Sequence, residues 1–91
     1  MLKVVKRKGN IVDFNHDKIR TSVENSARDA GIYLTAGELD MIAREVEKTI
    51  INVRGEDGTT SSYEIRGVVV RVLKAMGYRN VAMEFYSGKE K

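Results

Sequence analysis

The 91-residue chain contains no cysteine, which excludes disulfides, zinc ribbons and thiol chemistry. It has one histidine, His16, so no histidine pair exists to hold a metal ion, and His16 is expected as an exposed residue in the first turn of a helix. No apolar run approaches the roughly 20 residues that span a bilayer, and the N-terminus lacks the apolar h-region of a signal peptide, so the expected location is the cytoplasm. A glycine-rich phosphate loop of the G-x-x-x-x-G-K-[ST] kind is absent. No nucleophile stands in a pattern with a base, and no independent catalysis is expected. Internal repeats and low-complexity segments are missing too.

What is present suits one compact domain over residues 1–91 with a core of modest size. Hydrophobic residues make up 42% of the chain and charged residues 32%. The net charge is only +3, and its placement says more than its sum. Before the first expected helix the chain carries Lys3, Lys6, Arg7 and Lys8 against a single carboxylate, Asp13. Such a local excess attracts an anion.

Leu2 to Arg7 and Ile11 to Phe14 are short runs rich in β-branched residues. Lys8-Gly9-Asn10 separates them, so residues 2–14 predict a β-hairpin. Asn15 then precedes a helix over about 16–30 with Ile19, Val23, Ala27 and Ala30 on one face, Asp17 in the first turn and Gly31 as the stop. Thr35 and Glu38 form a capping-box pattern for a second helix over about 36–53, with a stripe of Leu39, Ile42, Val46, Ile50 and Val53. Residues 54–60 read as a polar loop. Ser61 and Glu64 suit a second capping box, opening a helix over about 62–76. Its apolar set Ile65, Val68, Val69, Val72, Leu73 and Met76 is broad enough to predict the most buried helix. A short fourth helix is expected over about 79–86, carrying Val81, Ala82 and Phe85, with a polar tail beyond Ser87.

The hairpin cations admit two readings from physics alone. They can be solvated charges that discourage edge-to-edge pairing of strands. Alternatively Lys6 and Arg7, with Lys18 one turn into the next helix and the N–H groups of that helix start, can converge on phosphates. The acidic residues of the second helix, Glu38, Asp40, Glu45 and Glu47, interleave with Arg44 and Lys48 as in a solvated face with i,i+4 pairs. A small basic nucleic-acid-binding module is an alternative function, but none of the aromatic residues lies within the basic run where bases would stack. A purely structural dimerisation bundle is a third.

The run V-x-K-R-x-G-x-x-x-x-F-x-x-x-K-I over residues 4–19 resembles the opening signature of the ATP-cone domain, the regulatory nucleotide-binding module of ribonucleotide reductases and of the zinc-ribbon repressors of their genes. The I-A-x-x-V-x-x-x-I pattern at Ile42 to Ile50, T-S-S-Y-E-I at Thr60 to Ile65, and Val81-Ala82 extend the likeness over nearly the whole chain. The resemblance implies an α+β fold in which the N-terminal β-hairpin, a small sheet, covers a four-helix bundle and binds ATP or dATP between the two. It implies phosphate contacts from Lys6 and Arg7, a phosphate or ribose contact from Lys18, a pocket-lining Asn15, a hydroxyl from Ser62 and a nucleotide-proximal Arg66. Mg²⁺ can arrive with the nucleotide, held by phosphates and water. It further implies a non-enzymatic sensor whose readout is a homo-oligomer or an attached or partner enzyme or regulator domain. The chain departs from the pattern at Lys8, where an acidic or amide residue is usual, at Val12, where glutamate is common, and at its end, where Phe85, Tyr86, Lys89 and Lys91 match only in part.

Overall fold

A computed structural model describes residues 1–88 of the chain. The elements run β1 (Lys3–Val5), β2 (Ile11–Asp13), α1 (His16–Asp29), α2 (Ala36–Arg54), β3 (Thr59–Ser61), α3 (Ser62–Ala75) and α4 (Arg79–Ser87). The class is α+β, with a small three-stranded sheet and four helices.

The helices close a ring of contacts in which α1 and α3 each pack against both α2 and α4. Their apolar stripes meet in one core. Val23, Ile42, Val46, Val69, Leu73 and Val81 are fully enclosed there, and each such side chain contributes about 1.5–3 kcal/mol relative to exposure. Leu2 joins this cluster, and Phe14 packs against it, so both ends of the hairpin are anchored to the helices. One expectation about the stripes changes. Val53 is 69% exposed, because α2 outruns the core after Ile50. The helix expected to be most buried, α3, encloses Val68, Val69, Val72 and Leu73 among its 14 residues, a larger share than the five of 19 in α2. Ile65, Val70 and Met76 reach only the margin of the core.

β1 pairs antiparallel with β2, Val4 opposite Val12, and parallel with β3, Val4 opposite Thr60. The third strand replaces the end of the loop expected over 54–60. Three polar residues, Thr-Thr-Ser, carry no apolar alternation, and their partner strand lies more than 50 positions earlier. Neither local pattern nor propensity reveals such a pairing. The Gly58 carbonyl accepts from the Lys3 amide at 3.0 Å and starts this seam. Gly58 is there for room: a Cβ on it would lie 2.0 Å from the Arg54 carbonyl oxygen.

The helix ends are locally encoded. At α2 the capping box forms in full, with Thr35 Oγ1 accepting from the Glu38 amide at 3.1 Å and Glu38 Oε1 accepting from the Thr35 amide at 2.8 Å. The second Glu38 oxygen accepts from the Tyr78 hydroxyl at 3.0 Å, which ties the start of α2 to the turn between α3 and α4. The Thr35 amide first, and then the Tyr78 hydroxyl, hold the Glu38 carboxyl below the usual glutamate range. Burial first, and then the Glu38 contact, pushes the Tyr78 phenol up. α1 ends in a Schellman motif at Gly31, where the Ile32 amide reaches the Ala27 carbonyl at 2.8 Å.

At α3 only half of the expected box forms. Ser61 Oγ accepts from the Glu64 amide at 3.0 Å, but the Glu64 carboxylate turns the other way. It receives the Arg54 guanidinium in a fork at 3.0 and 2.9 Å and the Thr60 hydroxyl as well. A guanidinium fork and a buried hydroxyl outcompete a single cap amide for the carboxylate. The resulting corner fastens the end of α2, β3 and the start of α3 together. Arg54 first, and then Thr60, holds the Glu64 carboxyl low.

Candidate functional site

The hairpin turn starts earlier than the strand pattern suggests. β1 stops at Val5, the Lys6 amide donates to the Asn10 carbonyl at 2.8 Å, and the Gly9 amide returns to the Lys6 carbonyl at 2.8 Å. Gly9 takes a φ of +93° at the closing position, a left-handed conformation that glycine adopts without steric cost. Lys6 therefore sits half-buried at the neck of the turn, and Arg7 and Lys8 occupy its exposed centre. The first strand is thus shorter than the run Leu2 to Arg7 suggests, and Lys6 and Arg7 belong to the turn. Lys3, lower on the hairpin, is paired with Asp13 across the strands.

β2 leads directly into α1. Asn15 caps that helix, its Oδ1 accepting from the Lys18 amide at 3.2 Å, and Lys18 follows in the first turn. On the far side, Ser61 caps α3 and leaves Ser62 as its first residue with Arg66 one turn on. A cleft of about 180 Å³ opens among these pieces. Lys6, Asn15, Lys18, Ser62 and Arg66 all line it; Arg7 does not. Its apolar wall is made by Val4, Val12, Phe14, Ile19, Ile65, Val69 and Phe85. Two helix starts thus border one small, mostly apolar space, and the N-terminal ends of helices carry positive potential.

The electrostatics of the cleft are unusual for this molecule. The charge of Lys18, and contact with its amine, pushes the Lys6 ammonium below its usual value. Two like charges held together are destabilising unless an anion joins them. Among the described residues no ion pair involves Lys6, Arg7, Lys18 or Arg66. Elsewhere opposite charges meet. Arg20 pairs with Asp17 at 2.6 Å, Arg44 with Asp40 at 2.8 Å, and His16 reaches Glu47 at 3.1 Å. His16 opens α1 as expected, but instead of standing exposed it is half-buried, reaching from α1 to Glu47 of α2 and set edge-on to Phe14. The acidic face of α2 is partly turned to α1 in the same way.

Ser22 and Phe85 also line the cleft, and sequence reasoning assigned neither to a site. Ser22 stands four residues after Lys18, so helical spacing from a recognised cation could have found it. Phe85 comes from α4, and only the packing of α4 on α1 and α3 brings it there. Of the other residues in the expected C-terminal pattern, Tyr86 is exposed, and Lys89 and Lys91 lie outside the described residues. Ser22, Arg66 and Phe85 also border an adjoining cleft of about 290 Å³ that runs past Asn25, Ser26 and Asp29 to Gly88. A roomier cleft, about 450 Å³, lies elsewhere, beside Tyr33 at the α1–α2 turn. There Arg20 already has its carboxylate, so size and chemistry point to different places, and charge decides for the hairpin cleft.

Residues 2–87, nearly the whole chain, match the family model of the ATP cone domain. No match is found among curated proteins.

Proposed function

The chain belongs to the ATP-cone family, whose domains are nucleotide-binding, regulatory and non-catalytic and bind ATP or dATP in general, and from that premise we propose that the cleft between hairpin, α1 and α3 is its nucleotide site. The observation that carries this reading is the pair of neighbouring ammonium groups, Lys6 and Lys18, that line an apolar cleft with no ion pair to either among the described residues. The triphosphate joins the two lysines and the positive ends of α1 and α3. Purine and sugar lie against the apolar wall, near Asn15, Ser62 and Arg66. Arg7, at the exposed tip of the turn, reaches the outermost phosphate by folding over it. Mg²⁺ enters with the nucleotide and is held by phosphate oxygens and water.

On this reading residues 1–91 act as a single module, the hairpin lying over the helices with the ligand between them. Because such a module changes no bond, its output is a second equilibrium that the ligand biases, either self-association or docking onto an enzyme or regulator domain. The setting is the cytoplasm, where ATP and dATP are found; among the described residues no helix is long and apolar enough to cross a membrane. Thermal melts with and without ATP and dATP, paired with light scattering, test both halves. A rise in Tm with nucleotide is expected, about 2.7 kcal/mol of added stability at 100 times Kd. No shift at millimolar nucleotide would overturn the binding reading, and identical mass in every state would confine the output to a partner.

A further inference from the structure

Strand β2 ends at Asp13 and helix α1 begins at His16, so the join between them is Phe14 and Asn15 alone. Both line the 180 Å³ cleft. The local ties of this junction are modest. The Phe14 amide donates to the Leu2 carbonyl at 2.9 Å, and the Asn15 cap bond, at 3.2 Å, is at the long end of the usual range. The pose of the hairpin over the helices therefore depends on what holds the junction from behind.

His16 is the next residue, and it reaches away from the cleft. Its Nε2 comes within 3.1 Å of Glu47 Oε1 on α2, and its ring meets Phe14 edge-on with centroids 6.3 Å apart, inside the range of attractive aromatic pairs. A carboxylate only accepts, so this contact orients the imidazole with that nitrogen as its donor. The neighbouring charges are engaged with one another. Arg20 of α1 takes Asp17 at 2.6 Å and faces Asp40 of α2 at 3.8 Å, Arg44 takes Asp40 at 2.8 Å, and Lys3 pairs with Asp13 across the hairpin. Glu47 thus fixes the imidazole, the imidazole backs Phe14, and Phe14 is a wall of the cleft.

Resting on the reading of the cleft as a nucleotide site, we infer that His16 and Glu47 are positioning residues for it: their contact braces the strand–helix junction from α2 and holds Phe14 and Asn15 in the pose that receives the ligand. Neither side chain lines the cleft itself. With the contact cut, the junction samples other poses, and affinity falls with the fraction of molecules still in the receptive one. Charge alone predicts the reverse for Glu47, since taking a carboxylate off the chain favours an anionic ligand. The two accounts therefore differ in sign.

Isothermal titration of the full chain with Mg-ATP tests this on Glu47→Ala, Glu47→Gln, His16→Ala and the double alanine variant, each first checked for a native circular dichroism spectrum. Glu47→Ala and His16→Ala are each expected to weaken ATP binding by about twofold to tenfold, the range of one modest polar contact. The double variant should lose no more than His16→Ala alone, because the same contact is removed twice. Glu47→Gln keeps an acceptor oxygen in place and is expected to recover most of the loss. Binding by Glu47→Ala as tight as native, or tighter, overturns the inference and leaves the nucleotide site standing. Additive losses do the same, as does a glutamine variant as weak as the alanine one. Loss of fold in either alanine variant also overturns it, by making the pair structural. Failure of the native chain to bind ATP overturns the nucleotide site, and this inference with it.

Discussion

The first turn of α3 treats charge in opposite ways on its two sides. Toward α2, Glu64 is matched by the Arg54 fork and the Thr60 hydroxyl, and Ser61 by the Glu64 amide. Toward α1, Ser62 and Arg66 face a cleft where Lys6 and Lys18 repel each other, and among the described residues no carboxylate lines it. Residues one or two positions apart on the same helix thus serve different ends. The matched side holds α2, β3 and α3 in place. The unmatched side leaves favourable energy unspent, which is what a site for an anionic ligand requires. Folding satisfies polar groups wherever it can, so a cluster of unsatisfied like charges beside a fully satisfied corner marks function more reliably than cleft volume does.

The comparison can be broken from either side. The largest expected effect is on the unmatched side: Lys6→Ala and Lys18→Ala should each weaken ATP binding by about tenfold to a hundredfold in calorimetric titration, the range of a lost hydrogen bond to a charged group. The apo melt should stay level or rise, because each change removes a repulsion. The sign follows from the lysine itself. A folded-state value below 10.5 means that folding disfavours the charged Lys6, a penalty fully present at neutral pH and relieved as pH rises through the folded value. Loss of fold in either variant would make these lysines structural.

On the matched side, Gly58→Ala should destabilise by about 1–3 kcal/mol in urea unfolding, the usual cost of forcing atoms into occupied space. The backbone of Arg54 stands where the new methyl must go. A neutral result would mean that the β3 seam yields easily. Glu64→Ala strands the Thr60 hydroxyl, whose residue is 3% exposed, and should cost about 1–3 kcal/mol as well. Stability rises with pH here as it does for Lys6, but at neutral pH the carboxylates of Glu64 and Glu38 contribute stability where Lys6 carries a penalty. Glu64 and Glu38 titrate below their ordinary 4.5 in the folded protein. Their contribution is complete above that value and is lost as pH falls through the lowered folded values. Urea midpoints should therefore drop steeply below about pH 4.5 in the native chain and less steeply in Glu64→Gln. Equal slopes would remove Glu64 from the account. Tyr78→Phe is the mildest test, with about 0.5–1.5 kcal/mol expected from one lost hydrogen bond and no change in ATP affinity.

The two sides also differ in how readable they were. Thr35 with Glu38 is a local signal, and the box forms because both partners lie within one turn. The same S-x-x-E signal at Ser61 and Glu64 led only to half a box, since Arg54, ten residues earlier, competes for the carboxylate through a corner that exists only in the folded chain. Strand β3 escaped notice for a related reason: Thr59–Ser61 has no apolar pattern and gains its place from a partner more than 50 residues away. In the cleft, Lys6, Asn15 and Lys18 were legible because hairpin and helix start are adjacent in sequence. Ser62 and Arg66 came into view through family resemblance, and the structure sets them on the same cleft. Adjacency in sequence puts Arg7 beside Lys6, but the tight turn separates the two, and only Lys6 lines the cleft. Phe85 was out of reach, because no local rule connects the last helix to the first hairpin.

The most direct test of the contrast is an amide NMR titration of the full chain with Mg-ATP. The account predicts that the largest shift changes fall on Lys6, Asn15, Lys18, Ser62 and Arg66, while Thr35, Gly58 and Tyr78 stay nearly still. Changes concentrated instead around Tyr33 and Leu34, beside the 450 Å³ cleft, would contradict it.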